Sequence, residues 1–398
     1  MMITRKLYDT DSHIREFEAR VLACREVQGK GKKTCFAAEL DQTAFFAEGG
    51  GQAADRGIIQ SSRGEELKVL DVQEKDGHVL HYLEQHLAEG ESIRGILDWE
   101  FRFDNMQQHS GEHILSGLCY AWKGYHNVGF HLGTEITTLD FDGPLTEEEL
   151  KQLEERANRV VYQNQPVTIT YPSPEELKQM DYRSKKELTG DVRIVRVGDY
   201  DLCACCAPHV MLTGEVGLIK IVRWENYKGG VRLSILCGQR ALKDYDEKNR
   251  LIYQVAAGMS TKPEKIPSAL EKHSREMTEL KEHVLALGRE LIAFKSKQLL
   301  TQAKEQGGRA VWVEDLLDPV AARSLINELT PQVEAYAACL IPGKGKGFNL
   351  IIASRTRDCR QILSELGESF QVRGGGSPAM VQGSMEGDVK EILAKMPK

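Results

Sequence analysis

The chain has 398 residues, room for two to four domains at the usual ~100–200 residues each. Hydrophobic residues make up 41% and charged residues 28%, which excludes a mostly disordered chain. With 52 Lys+Arg against 59 Asp+Glu the net charge is −7, so any nucleic-acid contact must come from a local basic surface.

Residues 1–98 read as a block of short strands. VLACREV, KTCFAAEL, LKVLDVQE, HVLHYLE and IRGILDW alternate, are rich in β-branched residues and are separated by Gly, Asp or Ser clusters. Such a block predicts a small β-barrel. Within it, DQTAFFAEGGGQAADRG places Gly49, Gly50 and Gly51 between polar residues. His78, His81 and His86 share neither a strand face nor a helical spacing and are expected at the surface. From residue 99 the period becomes helical, with Met106, Ile114, Leu115 and Leu118 spaced for one face. Residues 146–164 predict an amphipathic helix capped by Thr146, with Glu149 three residues later. The strands VTITY, VRIVRVG, VGLIKIVRWE and VRLSILCG complete an αβ domain over 99–240 and bracket the run DLCACCAPH.

Residues 241–306 predict a helical arm. Over 264–306, Leu270, Met277, Val284 and Leu291 stand seven apart, with His273, Leu280, Leu287 and Phe294 in the second seam. This heptad pattern fits an arm packed on its own protein or a two-chain coiled coil, hence a homodimer. Residues 307–398 alternate strand and helix and predict a compact α/β unit. The fold class expected is therefore α+β multidomain. Residues 341–398 hold nine Lys/Arg against six Asp/Glu, so a nucleic-acid contact is expected here, at Lys344, Lys346, Arg373 and Gly374–Gly375–Gly376. Nine cysteines cannot all pair, and a chain this long does not need disulfides. The start MMITRKLYDTDSH has no apolar signal core, and no apolar run reaches the ~18–20 residues of a membrane span. A cytoplasmic protein is expected.

Two segments carry chemistry. His109 and His113 are i,i+4 on the predicted helix, so both imidazoles project from one face. Cys203, Cys205, Cys206 and His209 crowd three thiols and an imidazole into seven residues, in a stretch where Pro208 disfavours helix. Nitrogen and sulfur ligands together favour Zn²⁺ over Mg²⁺ or Ca²⁺. The same QHSGEHILS run also fits H-x-x-E-H, the inverted zinc-protease pattern with Glu112 as general base. That reading needs a third carboxylate ligand and leaves the cysteine run unused.

QHSGEHILS followed by CCAPHV resembles the paired HxxxH and CxxxH motifs of alanyl-tRNA editing domains. FFAEGGGQAADRG resembles the same family's glycine-rich motif, and GGGSPAMVQG resembles the signature of the DHH-associated domain that ends alanyl-tRNA synthetases. In order along the chain, the pattern is similar to the long form of the free-standing AlaX editing proteins. The resemblance implies a β-barrel, a zinc-containing editing domain, a helical arm and a DHH-associated-like tRNA-binding domain. It implies zinc ligands His109, His113, Cys205 and His209, with Cys206 able to replace Cys205 if the loop shifts by one residue. It also implies substrate contacts from Thr43, Glu48, Gly49, Gly50, Gly51 and Gln52, with Thr43 in the position that resembles the family's serine-sensing threonine. The usual CGGTH reads CCAPH here, and Phe46-Ala47 stand where Tyr-Pro is usual.

The activity implied is hydrolysis of Ser-tRNA(Ala), with Gly-tRNA(Ala) a further substrate, made by a synthetase module that this sequence does not itself display. An alanine pocket rejects serine by only ~10²-fold, because one added hydroxyl is weakly discriminated, so a second hydrolytic sieve is needed. A non-catalytic zinc-containing tRNA-binding module is the alternative of another class, and the inverted-motif protease is third. Four protein ligands would make a closed, structural zinc site, whereas an open position would make it catalytic. The sequence is compatible with both.

Overall fold

A computed structural model describes residues 3–28, 34–184, 192–343 and 347–398. The chain divides into two compact units, residues 1–252 and 253–398.

The first unit begins with a closed six-stranded barrel, whose strands run around it as Glu16–Gln28, Thr34–Leu40, His78–Leu83, Glu66–Lys75, Gly57–Gln60 and Ser92–Leu97. Every neighbouring pair is antiparallel. A bulge between Val21 and Ala23 lets the first strand pair with Ser92–Leu97 before it and Thr34–Leu40 after it. Alternation sends Phe17, Ala19, Val21, Leu67, Val69, Val79, Leu83 and Ile93 inward. His81 follows the same alternation between Val79 and Leu83 and has no exposed surface. The expected surface position for His81 is therefore wrong. Its period-2 relation to two apolar neighbours decides its face, and its spacing to the other histidines is irrelevant.

The αβ part is built on one helix, Trp99–Lys123, started by the Asp98 carboxylate accepting from the Phe101 N–H and ended by Gly124 at φ 73°. A four-stranded sheet, ordered Ile219–Tyr227, Gly230–Cys237, Thr137–Phe141 and Asn127–Leu132, packs with it around Met106, Ile114, Leu115, Leu139 and Leu233. The helix Glu147–Gln163 carries the capping box predicted at Thr146 and Glu149. A three-stranded sheet, ordered Val167–Thr170, Ile194–Val197 and Asp201–Ala204, completes this part. Gly117 lets the last of these strands approach, because a Cβ there would lie 2.3 Å from the Tyr200 carbonyl oxygen and 2.7 Å from Asp201 Cβ.

Barrel and helix are joined by a buried ion pair. Arg102 and Asp55 are 0% and 2% exposed. Arg102 Nε lies 2.9 Å from both Asp55 oxygens, while its Nη1 and Nη2 donate to the Ser12 and Ala44 carbonyls at 3.1 and 2.6 Å.

In the second unit one helix runs from Ile266 to Glu305, two residues inside the predicted start. Of its seam residues, Leu270, Met277, Leu280, Val284, Leu287 and Phe294 are more than half exposed, whereas Leu291 is partly buried against the core that follows. Only Ser296, Leu299 and Ala303 near its end are buried. The remaining chain forms a five-stranded sheet, ordered Arg309–Val313, Tyr336–Pro342, Gly347–Ala353, Met380–Glu386 and Gln371–Ser377. Apolar clusters cover it on both faces, one with the helix Pro319–Leu329 and one with Cys359–Gly367 and Val389–Ala394. Among the described residues no helix is long and apolar enough to cross a membrane.

Truncating Arg102 strands the Asp55 carboxylate away from water. Arg102→Ala should destabilise the first unit by about 3–5 kcal/mol, read from its urea-unfolding transition. Adding Asp55→Asn should recover part of that loss.

Candidate metal centre

The helix Trp99–Lys123 presents His109 and His113 one turn apart, at 2% exposure each. The other half comes from the run after Ile194–Val197. Asp201–Ala204 is a strand, so the expected loop starts only at Cys205. Cys203 pairs with Val195 inside the sheet, while Cys205 to His209 turn back toward the helix.

The ligand atoms of His109, His113, Cys205 and His209 all lie within 4.8 Å of one another. Cys205 Sγ is 3.6 Å from His109 Nε2 and 3.4 Å from His209 Nε2. Each imidazole is held through its other nitrogen. His109 Nδ1 meets Gln52 Oε1 at 2.9 Å, His113 Nδ1 meets Asp201 Oδ2 at 2.8 Å, and His209 Nδ1 meets Ser110 Oγ at 3.0 Å. With Nδ1–H donating outward, the Nε2 lone pairs converge, which is the arrangement a tetrahedral N₃S site requires. Burial alone would raise the Cys205 thiol, but His109 and His209 beside it bring it well below the ordinary thiol range. Burial pushes His209 down to about 3. A soft anionic sulfur with neutral imidazole beside it is the donor set of a borderline-soft divalent ion. The four residues fit such an ion.

Asp201 is the support that spacing did not flag. Burial works against its charge, yet hydrogen bonds from His113 and Arg183 keep its carboxyl below the usual range. Arg183 donates to it from Nε and Nη2 at 2.7 and 2.8 Å. The available signal was period 2, since Asp201 and Cys203 share the buried side of their strand. Cys203, with His113 and Asp201, forms a second, overlapping group of three. Glu112 is also buried and accepts from Ser116 Oγ at 2.6 Å and from Asn127 Nδ2.

The glycine motif folds against this cluster. Gly49 and Gln52 exchange both backbone hydrogen bonds, at 3.1 and 3.0 Å, around Gly50 and Gly51 at φ 60° and 84°. Positive φ at both central residues is a type I′ turn. The turn delivers Gln52, 1% exposed, to His109. Among the described residues Gln52 Nε2 has no hydrogen-bond partner. Cys206 is exposed, and its Sγ lies 3.5–3.6 Å from where Cβ atoms on Gly50 and Gly49 would stand. Cys205, not Cys206, joins the three histidines.

The other expected contacts make no hydrogen bond to the four ligand residues. Glu48 is exposed and accepts from Gln73 Nε2 at 2.9 Å. Thr43 is fully buried at the barrel, its Oγ1 2.8 Å from His81 Nε2 and accepting the Phe45 N–H at 3.0 Å. Arg373 and Gly374–Gly375–Gly376 sit on the edge strand Gln371–Ser377, exposed. Lys344 and Lys346 lie outside the described residues.

The family model described as "Threonyl and Alanyl tRNA synthetase second additional domain" matches residues 192–233, the span that carries Cys205 and His209. The model "tRNA synthetases class II (A)" matches residues 11–101, which carry the barrel and the glycine turn. The alanyl-tRNA editing protein AlaX-L of Pyrococcus horikoshii is 28% identical over 98% of this chain and 97% of its own length. Alanine–tRNA ligase of Ignicoccus hospitalis is 29% identical over 99% of this chain and 43% of its own, and that of Thermococcus kodakarensis is 34% identical over 76% and 33%. The chain thus spans less than half the length of these ligases. The solved C-Ala domain of Aquifex aeolicus alanyl-tRNA synthetase aligns with 22% of this chain and 84% of its own at 19% identity, with a TM-score of 0.20.

Outer hydrogen bonds to metal-bound imidazoles are worth about 10–100-fold in metal affinity. Asp201→Asn should weaken Zn²⁺ binding by that factor in a competitive chelator titration. Cys205→Ala should abolish stoichiometric binding, and Cys206→Ala should leave it intact.

Proposed function

This chain belongs to the alanyl-tRNA editing family, and from that premise we propose that it is a zinc-dependent hydrolase acting in trans, in the cytoplasm, to release serine from mischarged Ser-tRNA(Ala). Glycine on the same tRNA is the second substrate. The observation that carries this reading is the convergence of four ligand atoms within 4.8 Å, with every imidazole tied back through Nδ1.

When bound at His109, His113, Cys205 and His209, zinc would supply a Lewis acid that polarises the aminoacyl ester or its attacking water. The chain's own groups do the rest. Gln52 orients His109 through Oε1 and keeps a buried amide N–H₂ for the ester carbonyl or the terminal ribose. Glycine at 50 and 51 holds the turn close beside the cluster. Thr43 retains one unused lone pair, because its oxygen accepts only the Phe45 N–H. A seryl hydroxyl can donate to it, and an alanyl methyl cannot. Glu112 is engaged by Ser116 and Asn127, and the cysteine joins the histidines; both favour the editing reading over an inverted-motif protease.

Deacylation of Ser-, Gly- and Ala-tRNA(Ala) tests this directly. Serine should be released fastest, and the metal-stripped protein should be inactive. Serine release no faster than in the stripped protein would put the non-catalytic tRNA-binding module first. Thr43→Val should retain zinc and narrow the serine-to-alanine rate ratio by about 2- to 10-fold, the worth of one net hydrogen bond.

We further propose that tRNA is held by the second unit, where Arg373 and the exposed glycine strand lie, and that the exposed heptad seam pairs two chains. Ending the chain after Gly258 should leave a zinc-binding hydrolase with weaker tRNA affinity and a shallower salt dependence, because the lost segment carries the local positive excess. Filter binding across a salt series measures both, and sedimentation before and after truncation reads the dimer.

A further inference from the structure

His81 takes no part in the metal centre, yet it is a fully buried imidazole among the apolar side chains of the barrel core. It lies between Ala38 and Val72 on the neighbouring strands, and both of these are themselves inaccessible to solvent. Its two nitrogens have different partners. Nδ1 is 3.1 Å from the Ala38 carbonyl oxygen, and Nε2 is 2.8 Å from Thr43 Oγ1. A carbonyl oxygen can only accept, so Nδ1 carries the proton. Burial pushes the imidazole pKa down to about 4, so at neutral pH the ring has no second proton. Nε2 is then a lone pair, and the 2.8 Å contact is a hydrogen bond donated by the Thr43 hydroxyl.

This fixes what Thr43 can offer a ligand. Its single proton is committed to His81, and one oxygen lone pair is occupied by the Phe45 N–H at 3.0 Å. One acceptor position remains. The segment that carries Thr43 continues directly to the metal centre. Phe46 packs with Ala207 and Cys205, and Gln52 reaches His109.

We propose that His81 is a positioning residue for specificity: by taking the Thr43 proton it makes Thr43 a pure hydrogen-bond acceptor, so the site selects an aminoacyl group that carries a hydroxyl donor. The inference rests on the reading of Thr43 as the serine-sensing group. Alanyl and glycyl groups have no proton to give at that point and gain nothing from the contact. Without His81 the hydroxyl would be free to rotate, and its proton would compete for the same place as the seryl proton.

Two experiments on the full-length, zinc-loaded chain test this. The first needs no variant. The ¹⁵N shifts of His81 at neutral pH should report the Nδ1–H tautomer; an Nε2–H tautomer, or a doubly protonated ring, overturns the proposal. The second compares kcat/KM for Ser- and Ala-tRNA(Ala) on one preparation, a ratio that does not depend on the fraction folded. His81→Leu, which suits a position between Val79 and Leu83, should lower the ratio by ~3- to 10-fold with zinc content unchanged. His81→Gln, whose amide oxygen can take over the acceptor role of Nε2, should keep the ratio within about twofold. In the Thr43→Val background His81→Leu should add nothing, because the two act through one contact. A lowered ratio in Thr43→Val with an unchanged one in His81→Leu overturns this inference alone. An unchanged ratio in Thr43→Val overturns the serine-sensing reading as well. If His81→Leu does not fold, the tautomer measurement decides.

Discussion

The guanidinium of Arg102 has no access to water, and neither does the Asp55 carboxylate that it faces. Taking two such charges out of solvent costs several kcal/mol each and is tolerated only when every remaining donor and acceptor is filled. Here they are. Arg102 also donates to two carbonyls, and Asp55 also accepts the Phe46 N–H at 2.6 Å. The pair ties the first turns of the helix Trp99–Lys123 to the chain segment that leaves the barrel. That segment is then fixed at successive points: Thr43 on His81, Phe46 against Cys205 and Ala207, Gln52 on His109, and Asp55 on Arg102. The glycine turn lies between the Phe46 and Asp55 anchors and is itself tied to His109 through Gln52. Its position relative to the histidines therefore depends on a contact that touches neither.

The same helix carries an unusual load. From Arg102 to Ser116 it is buried almost all round, although Gln107, Gln108, His109, Ser110, Glu112 and His113 are polar. A helix surface of this kind is stable only if each polar group finds a partner inside. Gln108 closes a pair of 2.9 Å hydrogen bonds with the backbone of Cys237, and Gln107 bonds the Glu215 carbonyl at 2.9 Å. Glu112 is held by Ser116 and Asn127. The three imidazoles are anchored to the surrounding protein through Nδ1. Their Nε2 atoms and the Cys205 sulfur face one another, and a metal ion is the partner that would satisfy all four together.

Close approach is what allows strand and helix to meet at this point. Gly117 admits the Tyr200–Asp201 backbone, and Gly111 admits the Cys237 sulfur, which would otherwise stand 2.3 Å from a Cβ. The first contact brings the Asp201 carboxylate to His113. A larger side chain at Gly117 would displace strand backbone, and one at Gly111 would displace the Cys237 side chain.

Local patterns in the chain announced the elements and the candidate ligands. Period-2 alternation marked the barrel strands, the i,i+4 spacing put His109 and His113 on one face, and Thr146 with Glu149 announced their capping box. Each of these is a local property, set within a few residues by backbone geometry. Only the tertiary structure decided which partners those groups meet. That Cys205 rather than Cys206 turns toward the histidines depends on where the strand Asp201–Ala204 ends. That His81 is a core residue bonded to Thr43, 38 positions away, depends on which strands are neighbours in a closed barrel. Asp201 and Gln52 become supports for imidazoles 88 and 57 residues distant for the same reason. Spacing along the chain does not report contacts made across it, because those are fixed by register and packing among elements.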